Sequence, residues 1–370
     1  GCLLVSDLIE SILIYMSLHT VGLSPWSEQQ LEDHIREGWT PARVVAVHRN
    51  MLVIHDGERE IQAELTGRLQ FLAESPKDLP TVGDWVSAQI LDQGAFAVID
   101  KVIPRRSVVA RKAAGNLVEE QLIAANVDVA FIVQSCDLDF NLRRLERYLA
   151  AIRNGNVKPI LLLSKGDLIS SSEKEALIAQ VRSIEQFLTI VVFSNNLPEQ
   201  WAEIDALLES GKTYCLLGSS GVGKSTLANR LIGSDLLKTS SIRESDSKGR
   251  HTTTSRQLIV LDSGAILIDT PGMREFGAIG IESGVIATFI DIEDIASACR
   301  FTDCSHTVEL GCALTEAVEA GTLEEARLTS YLKLLRESAR NEMSLADRRK
   351  KDKNQGKFYK QVIRAKKDRR

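Results

Sequence analysis

Nine consecutive residues, GSSGVGKST from Gly218 to Thr226, have the types and spacing to hold a chain of phosphates. Gly218, Gly221 and Gly223 let successive backbone N–H groups face phosphate oxygens, and Ser219, Ser220 and Val222 fill the positions between them. Lys224 adds positive charge for the β and γ phosphates, and the Ser225 hydroxyl suits a Mg2+ ion. The apolar run TYCLLG precedes the loop and STLANRLI follows it, so a strand leads into a helix whose positive dipole end faces the anion. The alternative, a glycine-rich strand-to-helix turn with no ligand, leaves the lysine and serine unexplained.

A phosphate loop does not choose between adenine and guanine. Guanine offers two adjacent donors, N1–H and the 2-amino group, which one carboxylate accepts together; adenine offers neither and would leave a buried charge unpaired. The usual carrier is Asn/Thr-Lys-x-Asp at the end of a parallel strand. Nothing after residue 226 fits. Upstream, PILLLSKGDL ends in Ser164, Lys165, Gly166 and Asp167, at the carboxyl end of a predicted strand, where ligands of open α/β sheets bind. The order is permuted, with the base reader ahead of the phosphate loop. Alone, SKGD is equally a charged strand-to-helix loop.

Asp269, Thr270, Pro271 and Gly272 follow the apolar run AILI. In a hydrolase of nucleoside triphosphates such an aspartate holds Mg2+ through water, and the glycine amide meets the γ phosphate; a plain turn after a strand is the alternative. Met273 comes next, where a glutamine would orient water, and a thioether cannot. Earlier, SKGRHTTT sets His251 beside Thr252, Thr253 and Thr254. Thr252 and Thr253 are both candidates for Mg2+, and spacing does not choose. Lys248, Arg250 and His251 also read as a basic loop for RNA phosphates.

Cys299, Cys304, His306 and Cys312 form C-x4-C-x-H-x5-C within fourteen residues. Three thiolates and an imidazole close a tetrahedral Zn2+ shell, which makes the site structural rather than catalytic. Clustered thiols point to a reducing compartment. The opening LLVSDLIESILIYM is interrupted by Asp7 and Glu10 and lacks a basic lead, unlike a secretory signal. The expected location is cytoplasmic.

Elements must bring these groups together. With 370 residues, 44% apolar and 26% charged, the chain is expected to be a soluble protein of two or three domains with no membrane span. Residues 1–40 read as an extension, of which 1–15 are set apart as upstream, non-native sequence ahead of Met16. Residues 41–105 alternate in short runs, ARVVAVHRNMLVIHD, REIQAELT, DWVSAQIL and AFAVIDKVI, predicting a small antiparallel barrel or sandwich. Residues 106–279 alternate apolar runs with helical segments, predicting a parallel sheet covered on both faces, and RQLIVLDSGAILIDT is a hairpin turning at Ser263 and Gly264. Residues 280–340 are helical around the cysteines. Residues 341–370 form a basic tail: from Asp347 to Arg370 twelve Lys/Arg face three Asp/Glu, a local +9 that leaves −14 for the remainder of a chain of net −5. That asymmetry suits a polyanion, with a solvated disordered end as the alternative.

Taken together and in this order, VGDWV, IPRRSVVARK, SKGDL, GSSGVGKST, GRHTTT, DTPGMREFG and CRFTDCSHTVELGC resemble the circularly permuted GTPases of the ribosome small subunit-dependent GTPase A (RsgA) family. The resemblance covers residues 41 to about 340. It implies an α/β fold with a circularly permuted P-loop GTPase domain, an N-terminal OB-like β-barrel and a C-terminal helical zinc-binding domain. It also implies a monomer that binds the small ribosomal subunit and 16S rRNA and hydrolyses GTP to GDP and phosphate during late 30S maturation. The same resemblance sets Ser194 and Asn195 beside the base and gives His251 the glutamine's task on water. Ser164 departs from the family's Asn or Thr, and its shorter side chain is expected to weaken a contact to the base or the phosphate loop. Leu310 stands where the family often has Pro, which is expected to loosen the local turn. The competing readings are a P-loop phosphotransferase acting on a small substrate and an RNA-binding scaffold that uses GTP as a structural ligand. The barrel has few aromatics, Phe71, Trp85 and Phe96, so phosphate and shape readout of RNA is favoured over base stacking, and a purely protein-binding barrel stays open.

Overall fold

The structure is a computed structural model that describes residues 15–35, 38–48, 51–112, 120–137, 139–197, 200–233, 256–269, 282–301, 303–307 and 309–342. His251, Thr252, Thr253, Gly272, Met273 and the basic tail lie outside the described residues.

Residues 15–35 pack onto the strands that follow. Ser24 caps helix α1 (Pro25–His34) by accepting from the Ser27 amide at 3.2 Å, with Pro25 in the first turn. Leu18, Val21, Leu23 and Leu31 then bury against Trp85 and Ile103. Five strands follow, β1 (Thr40–Val47), β2 (Leu52–His55), β3 (Glu60–Leu65), β4 (Trp85–Leu91) and β5 (Phe96–Val102), with the short helix α2 (Gly67–Leu72) after β3. They pair in the order β1-β2-β3-β5-β4, and β4 returns to β1. The expected small barrel is present, antiparallel except where β3 and β5 run parallel. A closed ring of five strands cannot alternate direction throughout, so one pair must be parallel. Val44, Ile54, Ile61, Val86 and Ile99 fill the interior, as the alternation along each strand requires.

A two-stranded ribbon that the sequence did not announce comes next, β6 (Val108–Lys112) with β7 (Glu120–Ala125). The second layer system then runs β8 (Val129–Ser135), α3 (Leu142–Asn154), β9 (Lys158–Ser164), α4 (Ser171–Ile184), β10 (Thr189–Val192), α5 (Trp201–Asp205), β11 (Thr213–Leu217), α6 (Lys224–Ile232), β12 (Arg256–Val260) and β13 (Ile266–Asp269). Strands β10-β9-β8-β11-β13 are parallel neighbours, and β12 closes on β13 as the expected hairpin. Every residue of β8 and β11 is buried, as strands covered on both faces must be. One face packs Ile132, Leu161, Leu163 and Leu217 against Leu145, Leu149 and Ile152 of α3. The other packs Phe131, Leu162 and Leu216 against Trp201 of α5 and Leu227 of α6.

The two sheets are one: β12 pairs antiparallel with β1 through Ala46↔Gln257 and Val47↔Arg256. The buried Arg43 guanidinium crosses the same junction, donating to Val21 O, to Gly83 O at 3.3 Å and to Thr213 Oγ1 at 2.9 Å, with Trp85 beneath it at 5.3 Å. Asp84 and Arg105 pair through two bonds of 2.7 Å, so VGDWV and IPRRSVV serve as the joint between barrel and sheet.

Helices α7 (Glu282–Thr288), α8 (Ile290–Ala296), α9 (Ala313–Glu319) and α10 (Glu325–Glu342) complete the described fold. Val285, Phe289, Ile292, Leu314, Tyr331 and Leu334 form their own core and reach Ala150 of α3. Arg327 of α10 is buried and binds Glu146 of α3 at 2.8 Å and Asp291 of α8 at 2.7 Å.

Candidate nucleotide and metal sites

The phosphate loop leaves the carboxyl end of β11, between β8 and β13. Gly218 has φ +146°, and a Cβ there would lie 2.2 Å from Val133 O, so the loop's first bend requires glycine. Gly223 has φ +94°, and a Cβ there would lie 2.8 Å from Asn195 Nδ2. Lys224 opens α6, and its ammonium donates to Gly218 O at 2.8 Å and to Ser219 O, which keeps the charge over the loop. Val222 is buried, Ser225 is half-buried, and Ser220, Gly221 and Thr226 are exposed at the rim.

Ser164 is the link between the two halves of the site. It ends β9, is fully buried, and its hydroxyl donates to Val222 O at 2.7 Å. Serine thus reaches the phosphate loop directly from the end of β9. Lys165 follows with φ +59° and pairs with Asp137 at 2.7 Å. The Lys165 ammonium, aided by the Ser135 hydroxyl, pulls the Asp137 carboxyl down to about 2. Gly166 N–H donates to Phe193 O at 3.0 Å, which brings the ends of β9 and β10 together.

Asp167 is exposed at the mouth. Hydrogen bonds from the Ser194 hydroxyl and then the Asn196 amide, at 3.3 Å, hold its carboxyl below the ordinary range. Ser194 is buried and also accepts from Asn196 N–H at 3.0 Å. Asn195 leans on Gly223, and its buried Oδ1 has no hydrogen-bond partner among the described residues. Asp167, Ser194 and Asn195 thus converge from two strand ends, while the sequence reading missed Asn196, Asp137 and Gln134. Gln134 O lies 3.3 Å from the Ser164 hydroxyl, and its side chain accepts from Asn141 N–H at 3.0 Å. The ion-pair signal was present in CDLD and SKGD, but no spacing rule joins residues 28 apart.

Asp269 ends β13, one residue past the Cys215↔Ile268 pair, beside the strand that feeds the phosphate loop. The described part of the site therefore gathers a carboxylate for a base, a lysine and amides for phosphates, and a hydroxyl and carboxylate suited to a divalent cation.

In the helical region the donor atoms of Cys299, Cys304, His306 and Cys312 all lie within 4.8 Å of one another. His306 Nδ1 stands 3.5 Å from Cys299 Sγ and 3.6 Å from Cys312 Sγ. A tetrahedral ion with Zn–S near 2.3 Å and Zn–N near 2.0 Å needs a separation of about 3.6 Å, so the group fits zinc. Glu309, which the sequence reading passed over, accepts from Ser305 N–H at 3.0 Å and Thr307 N–H at 3.1 Å and so folds the loop bearing His306. Leu310 is exposed, and the turn it occupies is closed by Arg300 N–H donating to Gly311 O at 3.0 Å.

Comparison with known proteins agrees with this geometry. Residues 102–279 match the RsgA GTPase family model. The small ribosomal subunit biogenesis GTPase RsgA 2 of Vibrio parahaemolyticus is 42% identical over 346 residues, covering 94% of this chain and 92% of that protein. The small ribosomal subunit biogenesis GTPase RsgA of Opitutus terrae is 40% identical, covering 88% and 90%. Among solved structures, YjeQ from Thermotoga maritima matches with a TM-score of 0.58 at 24% identity over 81% of this chain and 98% of that one. YloQ, a circularly permuted GTPase, matches at 0.57 and 23%, over 84% and 99%; these two likenesses bear on the fold. With a permuted GTPase sheet, a five-stranded barrel ahead of it, a Cys3His group behind it and this degree of identity along nearly its whole length, the chain belongs to the RsgA family of GTPases.

Proposed function

We propose that this GTPase works on the small ribosomal subunit, binding 16S rRNA late in the subunit's maturation and hydrolysing GTP to GDP and phosphate when stimulated there. The 2.7 Å bond from Ser164 to Val222 carries the nucleotide part of the reading, because it joins a base-reading strand end to a phosphate loop 58 residues downstream. The ribosomal part is supported by the names of the relatives, which are small ribosomal subunit biogenesis GTPases.

In this reading Asp167 accepts the two guanine donors, flanked by Ser164, Lys165, Gly166, Ser194 and Asn195. The loop from Gly218 to Thr226, including Ser219, Ser220, Gly221, Val222 and Gly223, wraps the phosphates, and Lys224 offsets their charge. Ser225 and Asp269, with Thr252 or Thr253, would hold Mg2+, which supplies charge neutralisation at the β and γ phosphates. Gly272 faces the γ phosphate, and His251 positions or deprotonates the attacking water. Cys299, Cys304, His306 and Cys312 hold one structural Zn2+. The assigned units are an extension to residue 40, a barrel over 41–105, the GTPase domain over 106–279, the zinc domain over 280–340 and the tail beyond, in a cytoplasmic monomer. Among the described residues no helix is long and apolar enough to cross a membrane.

The test is phosphate release from GTP and ATP with and without purified small subunits. Stimulated release from GTP alone is expected; equal use of ATP, or indifference to the subunit, removes the reading. His251→Ala is expected to abolish stimulated turnover while GTP affinity by calorimetry stays at the wild-type value.

A further inference from the structure

We infer that Arg144 is a positioning residue of the phosphate loop, acting through the hydroxyl of Ser219. Arg144 lies in the first turn of α3, and its Nη1 donates to Ser219 Oγ at 2.6 Å. Its Nη2 is held by Asp139, through the carbonyl and through the carboxylate at 3.1 Å. One turn further on, the Tyr148 hydroxyl shares a hydrogen bond with the same serine, so two side chains at i and i+4 grip one hydroxyl. That serine is the second residue of GSSGVGKS.

The helix that carries this grip is itself fixed. Asn141 caps α3 by accepting from Arg144 N–H at 2.9 Å, and Gln134 accepts from Asn141 N–H at 3.0 Å. On its far side Glu146 binds Arg327 at 2.8 Å and Arg147 binds Glu337 at 2.6 Å. Arg144 therefore ties the loop to a rigid support rather than to a mobile neighbour. A loop already held in its phosphate-binding shape loses less freedom when nucleotide arrives, and the surplus appears as affinity. The guanidinium also adds positive charge at the edge of an anion site. Because GTP and GDP both place phosphates in this loop, both gain. The inference rests on the nucleotide-binding reading above.

The test uses the full chain, with equilibrium titration of a fluorescent GDP and steady-state KM and kcat for GTP. Arg144→Ala and Ser219→Ala are each expected to weaken GDP about fivefold to tenfold, and the double variant no further than Ser219→Ala alone, since losing the hydroxyl already removes the Arg144 contact along with that of Tyr148. The larger share of the loss falls on KM rather than kcat, and Arg144→Lys, which keeps the charge and one donor, recovers most of the affinity. Wild-type GDP affinity in Arg144→Ala overturns the inference, and so does a double variant that loses the product of the two single effects. A lowered thermal midpoint with unchanged GDP binding makes the residue structural only and sinks it equally. If the wild-type chain binds GDP with this coupling yet never releases phosphate from GTP, the hydrolase reading fails and the positioning role stands.

Discussion

In the proposed function, base selectivity turns on Asp167. It is exposed, charged and held by Ser194 and Asn196, so its two oxygens are aimed before any base arrives. Asp167→Asn replaces an acceptor by a donor that matches the 2-oxo group of xanthine, and competition binding is expected to show preference moving from GTP toward XTP. Retained GTP selectivity would falsify the assignment. Its neighbour Lys165 is fixed by Asp137, whose carboxyl sits at about 2 against about 3.9 in an unfolded chain. A carboxyl depressed in the folded state stabilises above its unfolded value, so this contribution is complete above about pH 4 and fades as pH falls toward about 2. Asp137→Asn is therefore expected to flatten the fall in urea midpoint between about pH 5 and pH 3, by a modest amount because about a third of each side chain faces water. The glycine loop after β11, the turn at the end of β9 and the clustering of three cysteines with His306 were legible in the sequence because backbone geometry and coordination chemistry dictate their residue types at short spacing. Asp137, Arg144 and Gln134 were not, since each acts only through a partner that folding brings from another element.

Helix α3 shows what an element adds. Its position was readable from apolar spacing, with Leu145, Leu149 and Ile152 on one stripe. Its charged residues do more than face water: Arg143 reaches Glu324 at 2.7 Å, Arg147 reaches Glu337, and Glu146 is buried against Arg327. Burial pushes the Glu146 carboxyl up, opposed by hydrogen bonding from Ser330 and the charges of Arg143 and Arg327, so Glu146 depends on its partners to remain charged. Arg327→Ala removes one partner, leaves Glu146 with Arg143 at 2.6 Å, and opens the space over Phe289. The expected cost is about 3 kcal/mol, the lower end for breaking a buried pair. Urea unfolding followed by tryptophan fluorescence and by circular dichroism is the measurement. Separation of the two transitions would mean that the cysteine-bearing helices had come loose from the sheet, whereas an unchanged midpoint would mean that the pair holds nothing.

At the scale of the molecule, the permutation explains why the modules sit where they do. The strand that carries Asp269 is the last of the chain among the described residues, and the cysteine-bearing helices follow it in sequence, so Asp269 and the Cys3His group are near neighbours along the polymer. At the other edge β1 extends the same sheet, and Arg43 ties residues 15–35, the barrel and β11 into one joint. Two register pairs separated by about 210 positions leave no periodic trace, which is why the continuity of barrel and sheet could not be read from the chain. Charge is divided as unequally as structure is, +9 in residues 347–370 against −14 elsewhere. An acidic body is repelled by RNA, so the tail must supply a large share of any long-range attraction to the subunit. Each phosphate that it neutralises releases counterions and contributes roughly 0.7 to 0.9 to the slope of log affinity against log salt. Truncation after Leu345 is thus expected to weaken binding to purified small subunits at low salt and to make that slope shallower by about that amount for every phosphate left without its cation, while GTP affinity, assigned in the proposed function to β9 and the loop after β11, stays unchanged. Weaker binding with the same slope would assign the tail a shape-dependent role instead of an electrostatic one.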